Sequence, residues 1–223
     1  MAPFSNLKVL DLSADFAGSY CSKLLSDFGA SVKKIIYEGR EDRSALYGPF
    51  INEIRDPKSS AMFHYMNYNK QVIPVSKETQ TIEELALSAD LLIEDFSSED
   101  FNLTGLDLEN IRKLNPDILI CSLTPFGRNT KWTGKPWSDL TIQALTGMCS
   151  VNGEQGKAPL KEPGTESEFI TGANAFVASV ASLINRDVTG IGQEVNVSIL
   201  KSVLHSYSPY LLGALHTRNP RGQ

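Results

Sequence analysis

The chain has 223 residues, 41% of them hydrophobic, with 26 acidic against 21 basic side chains and a formal net charge of −5. It is long enough to bury a substantial core, and its charges are mixed along the chain with no basic stripe, which excludes the usual nucleic-acid-binding surface; an anionic ligand needs local cations. Three widely spaced cysteines, Cys21, Cys121 and Cys149, predict buried free thiols, and three histidines without CxxC or HxxxH pairing predict no metal site.

The N-terminus, MAPFSNLKVLDLS, lacks a basic n-region and a long apolar h-region. The longest uncharged run, from Phe169 to Asn185, falls short of the ~20 apolar residues of a membrane span. A cytoplasmic protein with no membrane partner is expected.

In chain order, KVLDL (8–12), SVKKII (31–36), QVIPV (71–75), DLLIED (90–95), DILICSL (117–123) and QEVNVSI (193–199) read as strands. Helical patterns separate them, which predicts βαβ units, a mainly parallel sheet and an α/β fold. After the first strand, AGSYCSKLLSDFGA places Tyr20, Leu24, Leu25 and Phe28 at helical spacing, with Gly29 suited to the stop. The turn before it, SADFAGSY, is not GxGxxG, so the dinucleotide fingerprint is absent. Residues 38–60 and Thr124 to Trp137 read as long excursions leaving the C-terminal ends of strands, where open α/β sheets bind ligands. Beyond Asp139 the pattern is mainly helical: DLTIQALTGM, then TESEFITGANAFVASVASL, and, after the last strand, ILKSVLHSYSPYLLGAL with a terminal loop HTRNPRGQ.

Several stretches, all in one order, resemble the N-terminal part of family III CoA-transferases, the group that contains formyl-CoA and carnitine CoA-transferases and alpha-methylacyl-CoA racemase. They are LKVLDLSADFAGSYCSKLLSDFGASVKKI, YMNYNKQVIPV, LSADLLIEDF, IRKLNPDILICSLTPFG, DLTIQALTGM and NRDVTGIGQEVNVSIL. The resemblance implies a Rossmann-like domain over residues 1–223 that holds coenzyme A as substrate. It also implies a second domain and a return segment absent from this chain, and a homodimer of full-length chains or a partner subunit supplying the missing region.

The resemblance further implies transfer of CoA between carboxylic acids, with an acyl-CoA and a free acid as substrates. A carboxylate attacks the thioester, giving a mixed anhydride and then an enzyme-CoA thioester. The family's aspartate lies four residues before a glycine; EFITG puts Glu168 there, ahead of Gly172. Glutamate keeps the charge but changes the reach, and a misplacement of ~1 Å costs on the order of 10²-fold in rate. Sequence physics alone gives Glu168 another role, because Thr165-x-x-Glu168 has capping-box spacing. Both readings stand at this stage, as does that of a catalytically eroded CoA-binding fragment.

For the CoA contacts, the resemblance points to Phe16 and Ala17 in the first βα turn, with core packing the other reading of Phe16, and to Lys70 near the nucleotide phosphates, with an exposed lysine the other reading. Arg43, in the loop after the second strand, is by its own chemistry a further cation for the phosphates or a solvated loop arginine. In EDFSSED, Asp95 stands where the family has asparagine, so repulsion of an anionic ligand is expected there; Phe96 stacks on the ligand or packs beneath it. The racemase branch carries a histidine where this chain has Ser138, whose hydroxyl is too weak for α-proton exchange, so racemisation is rejected. Asp139 reads as a helix cap or first-turn residue, and TGIGQ (189–193) as a structural turn.

Overall fold

The computed structural model describes residues 2–76, 79–154 and 156–217. Six strands, β1 (Lys8–Asp11), β2 (Ser31–Tyr37), β3 (Gln71–Val75), β4 (Leu91–Glu94), β5 (Leu119–Thr124) and β6 (Glu194–Ser198), form one sheet in the order β3-β2-β1-β4-β5-β6. Every pairing is parallel, with Leu10 opposite Lys33 on one side and Leu92 on the other. The expected strands are present, each within a residue or two of its sequence boundaries.

Helices cover both faces, so the central strands are apolar on both sides and read as continuous runs. On one face Val9, Ile93, Leu119 and Cys121 pack with Cys21 and Leu25 of α1 (Phe16–Asp27) and Leu183 of α7 (Glu166–Thr189). On the other, Leu10, Leu92, Ile118 and Ile120 pack with Ile82 of α3 (Thr79–Leu87) and Ile111 of α5 (Leu108–Leu114). Successive strand residues alternate between the two cores with period two. The remaining helices are α2 (Ala61–Asn67), α4 (Ser98–Thr104), α6 (Asp139–Leu145), α8 (Ile199–Ser206) and α9 (Ser208–Thr217).

Four expectations need correction. The segment 38–60 is not a free excursion: it forms three short 3₁₀ turns, and the Arg43 N–H donates to the Ala14 carbonyl (2.9 Å), which pins it to the first βα turn. ILKSVLHSYSPYLLGAL is two helices, because Pro209 lacks the N–H needed to continue a helix and sits in the first turn of α9. That helix includes His216 and Thr217, while the rest of the expected terminal loop lies outside the described residues. Cys21 and Cys121 are buried and free as expected, but Cys149 is partly exposed. Finally, α7 is, by length and composition alone, apolar enough to cross a membrane, contrary to the reading of its uncharged run. Its buried face packs on the sheet and α1 and carries Glu168, Thr171 and Ser179.

Candidate active site

The strand order reverses direction between β1 and β4, and the loops leaving their C-terminal ends diverge there, opening a crevice. A cleft of about 730 Å³ occupies this place, lined by the ends of the β1, β2, β4 and β5 loops, including Asp15, Arg43, Asp95, Arg128 and Trp137. Its size suits a small-molecule ligand.

Glu168 lies in the first turn of α7 and is fully buried. Its carboxylate does not turn back on its own helix. Oε2 accepts the Phe16 N–H (3.1 Å), one of the donors left unpaired at the start of α1, and a contact from Arg43 Nη1 (3.3 Å). Oε1 stands 3.2 Å from the same Arg43 nitrogen and has no hydrogen-bond partner. The capping box expected for Thr165 and Glu168 is therefore not formed: Thr165 makes no side-chain cap bond, and the N–H of Ser167 is taken by Asp139 Oδ1 (3.1 Å). The caps are crossed, Asp139 serving α7 and Glu168 serving α1.

Gly172 makes this crossing possible. A Cβ there would lie 2.6 Å from the Ala17 carbonyl oxygen and 3.0 Å from Tyr20 Cβ, so only glycine lets the two helices approach closely enough for Glu168 to reach Phe16. Burial pushes the Glu168 carboxyl up from 4.5 to about 8, the neighbouring Asp15 and Asp95 charges add to this, and Arg43 and the Phe16 N–H oppose it.

Arg43 joins Glu168 to Asp15, with Nη1 2.8 Å from Asp15 Oδ1. Its guanidinium lies over the rings of Phe16 (5.4 Å) and Trp137 (5.6 Å). Asp15 and Arg43 line the cleft, whereas Glu168 lies behind them. Arg43 is thus an engaged residue and not the solvated loop arginine that composition alone suggests.

Asp95 corrects the expectation of repulsion. Its carboxylate accepts the N–H groups of Ala14 (3.0 Å) and Asp15 (2.7 Å) and pairs with Arg40, which also bonds Asp100 (2.9 Å). The charge is spent inside the protein, holding the first βα turn. Phe96 packs beneath the cleft: it is buried against Tyr37 and Phe101, with the Arg40 guanidinium 4.6 Å above its ring. Arg128 pairs with buried Glu94 and keeps an unpartnered Nε at the cleft wall.

Lys70 and Phe16 are placed differently from the other expected CoA contacts. The Lys70 ammonium is fully buried and donates to Asp11 (3.2 Å), the Ser19 carbonyl (2.9 Å) and Ser22 Oγ (2.7 Å), in a cluster shared with Lys34. It does not line the cleft, and burial pulls it down to about 8 against the Asp11 charge. Phe16 is buried outside the cleft lining and contributes its backbone N–H, while Ala17 lines the cleft. Ser138 caps α6, accepting the Thr141 N–H (3.2 Å), and Gly192 packs against the Ile118 carbonyl, where a Cβ would come within 2.2 Å.

Sequence reasoning missed Asp15, Arg40 and Arg128. Each sits in a segment flagged as a ligand-side loop, and a charged residue in the first βα turn was a signal in plain view at Asp15. Their partners, however, lie far away in sequence, 28 residues for Asp15 with Arg43, 55 for Arg40 with Asp95 and 34 for Arg128 with Glu94.

The chain is 30% identical over 204 residues to a succinate–glutarate CoA-transferase of Agrobacterium fabrum, an alignment covering 89% of this chain and 51% of that protein. It is 31% identical over 213 residues to a succinyl-CoA:mesaconate CoA-transferase of Haloarcula marismortui, covering 92% and 53% respectively. The fold matches the crystal structure of a CAIB/BAIF family protein from Brucella suis with a TM-score of 0.89 and 26% identity, covering 99% of this chain and 59% of that one. The chain spans about half the length of the curated relatives it matches. The profile of CoA-transferase family III matches residues 4–223, and the chain belongs to that family.

Proposed function

We propose that this chain is the CoA-binding half of an enzyme that moves CoA from an acyl-CoA to a free carboxylic acid, with Glu168 as nucleophile. The observation that carries the reading is the buried Glu168 Oε1, a carboxylate oxygen without a hydrogen-bond partner beside the cleft. Arg43 Nη1 stands 3.2 Å from it as an ion-pair contact, so no aligned hydrogen bond has to be given up before it attacks.

In the proposed sequence, a Glu168 oxygen bonds to the thioester carbonyl carbon, the C–S bond breaks and CoA leaves as thiolate. The thiolate then attacks the Glu168 carbonyl of the mixed anhydride, releasing the donor acid and leaving a Glu168-CoA thioester. The acceptor carboxylate attacks that thioester, again expelling CoA thiolate. The thiolate attacks the acyl carbonyl of the new anhydride, which gives the product acyl-CoA and restores the Glu168 carboxylate. The Phe16 N–H and Arg43 are positioned to stabilise negative charge on Glu168 oxygens. Ionisation of a carboxyl held at about 8 must precede the attack.

The relatives' names make succinyl-CoA with a dicarboxylic acid such as glutarate the first pair to try. The competing reading, a CoA-binding half without chemistry, is favoured by the position of Glu168 behind Asp15 and Arg43. The complete protein incubated with succinyl-CoA and quenched with hydroxylamine decides between them. A hydroxamate on Glu168, found by peptide mass spectrometry and missing in Glu168→Gln, supports transfer. Binding of CoA with no adduct supports the competing reading.

A further inference from the structure

We infer that Arg43 receives the carboxylate of the acid substrate, and that it does so by exchanging Asp15 for it. The inference rests on the transferase reading of this site and assigns one of its two ligands.

Both internal ion pairs of Arg43 use one nitrogen, Nη1, which faces Asp15 Oδ1 and both Glu168 oxygens. A guanidinium carries five N–H donors in a planar fork, and its best partner is a planar carboxylate gripped by two of them at once. The present arrangement puts two carboxylates on one corner and leaves the rest of the fork without an anion.

The two internal partners differ in depth. The Glu168 side chain is fully buried, while Asp15 and Arg43 are 27% and 33% exposed. A partly exposed ion pair is worth at most about 1 kcal/mol, so a dissolved carboxylate can compete for Arg43 at Asp15, whereas Glu168 stays in place. Phe16 and Trp137 hold the guanidinium when Asp15 lets go.

The surroundings favour a carboxylate over a CoA phosphate. Asp15, Glu168 and Asp95 all lie close to this point, and Arg40 is already committed to Asp95 and Asp100. Binding a phosphate dianion here sets more negative charge against the same two arginines. A single carboxylate that takes the place of Asp15 on Arg43 adds one negative charge where a phosphate dianion adds two, leaves Asp15 free to turn to solvent, and places the acid next to the atom with which it must react.

The test uses phenylglyoxal, which modifies accessible arginines, on the complete protein, with Arg43 followed by peptide mass spectrometry. Succinate or glutarate should slow modification of Arg43, while CoA alone and inorganic phosphate should not. In Asp15→Asn, half-protection should come at about five-fold lower acid concentration, the equivalent of about 1 kcal/mol of lost competition. In turnover, the same variant should lower KM for the acid about five-fold without changing KM for the acyl-CoA. Arg43→Lys, which keeps the charge but loses the fork, should raise the acid KM more than the acyl-CoA KM, in addition to the kcat it loses through its contact with Glu168. Protection by CoA or phosphate without protection by acids overturns the inference, as does an unchanged acid dependence in both variants. Transfer with an unprotected Arg43 sinks the inference and spares the transferase reading; acid protection without any transfer does the reverse.

Discussion

Glu168 Oε2 accepts the backbone N–H of Phe16 across 152 residues of sequence, so a carboxylate from the first turn of one long helix caps the start of another. The positive end of α1 favours the anion, and burial opposes it. Burial prevails, and the carboxyl stands near 8 where its ordinary value is 4.5.

The native chain therefore holds a proton on Glu168 that the unfolded chain gives up near 4.5. This makes Glu168's contribution to stability decline as pH rises from about 4.5 through about 8. Glu168→Gln, which cannot ionise, should raise the melting temperature relative to the native protein at pH about 9 and leave it nearly unchanged at pH about 4. Calorimetry at both values checks this; an equal effect at the two contradicts the assignment. In the complete protein, kcat/KM for transfer should climb through a pKa near 8.

Gly172→Ala forces a methyl group to within 2.6 Å of the Ala17 carbonyl. The helices must separate, at a cost of about 1–3 kcal/mol for overpacking. Glu168 then moves with its helix, and a displacement of ~1 Å should cost on the order of 10²-fold in transfer rate. Chemical denaturation and turnover measured together check the pair; a rate loss with native stability breaks the link between the helix contact and the carboxylate.

The parallel sheet was legible because its evidence is local: runs such as DLLIED and DILICSL carry their own period and composition. Glu168 and Gly172 were legible as a spaced pair, yet the reason for the spacing was not, since it depends on where α1 lies. Thr165-x-x-Glu168 satisfies a local rule that the fold does not use, because Asp139 supplies the cap and Glu168 is drawn to Phe16. Lys70 likewise reads as a phosphate contact or an exposed cation until the fold brings its ammonium to Asp11, the Ser19 carbonyl and Ser22. Non-local charge pairing decides such residues, and no spacing rule reports it.

Asp11 is the shared counter-ion of two buried lysines, Lys34 and Lys70. Burial works against its ionisation, but the two ammonium groups and the Ser13 and Ser22 hydroxyls outweigh this and bring its carboxyl down to about 2. Asp11→Asn strands Lys70 without an anion and should destabilise the chain by about 3–5 kcal/mol at neutral pH. Lys70, already lowered from 10.5 to about 8, sheds its proton earlier in the native state than in the unfolded one, so stability recovers as pH rises through that window. Urea denaturation at pH about 7 and about 10 should show the smaller loss at the higher value; the opposite order removes Lys70 from the account.

Arg40 and Asp95 form the last internal pair at the cleft, with side chains only 10% and 5% exposed. Arg40→Met leaves the Asp95 carboxylate buried on the Ala14 and Asp15 N–H groups with no cation, and should cost about 3 kcal/mol. Asp95→Asn alone strands Arg40 less severely, because Asp100 still accepts from its Nε at 2.9 Å. In the double variant, the asparagine oxygen can still accept the Ala14 N–H, and the charge left without Arg40 is that of Asp100, which is 22% exposed and still accepts the Ser97 N–H, so most of the loss caused by Arg40→Met should return. A double-mutant cycle by denaturant titration measures this as a coupling of about 1–3 kcal/mol, the range for residues in one buried network. Additive effects of the two substitutions mean that Arg40 is held by Asp100 alone and that the first βα turn does not depend on the Asp95 charge.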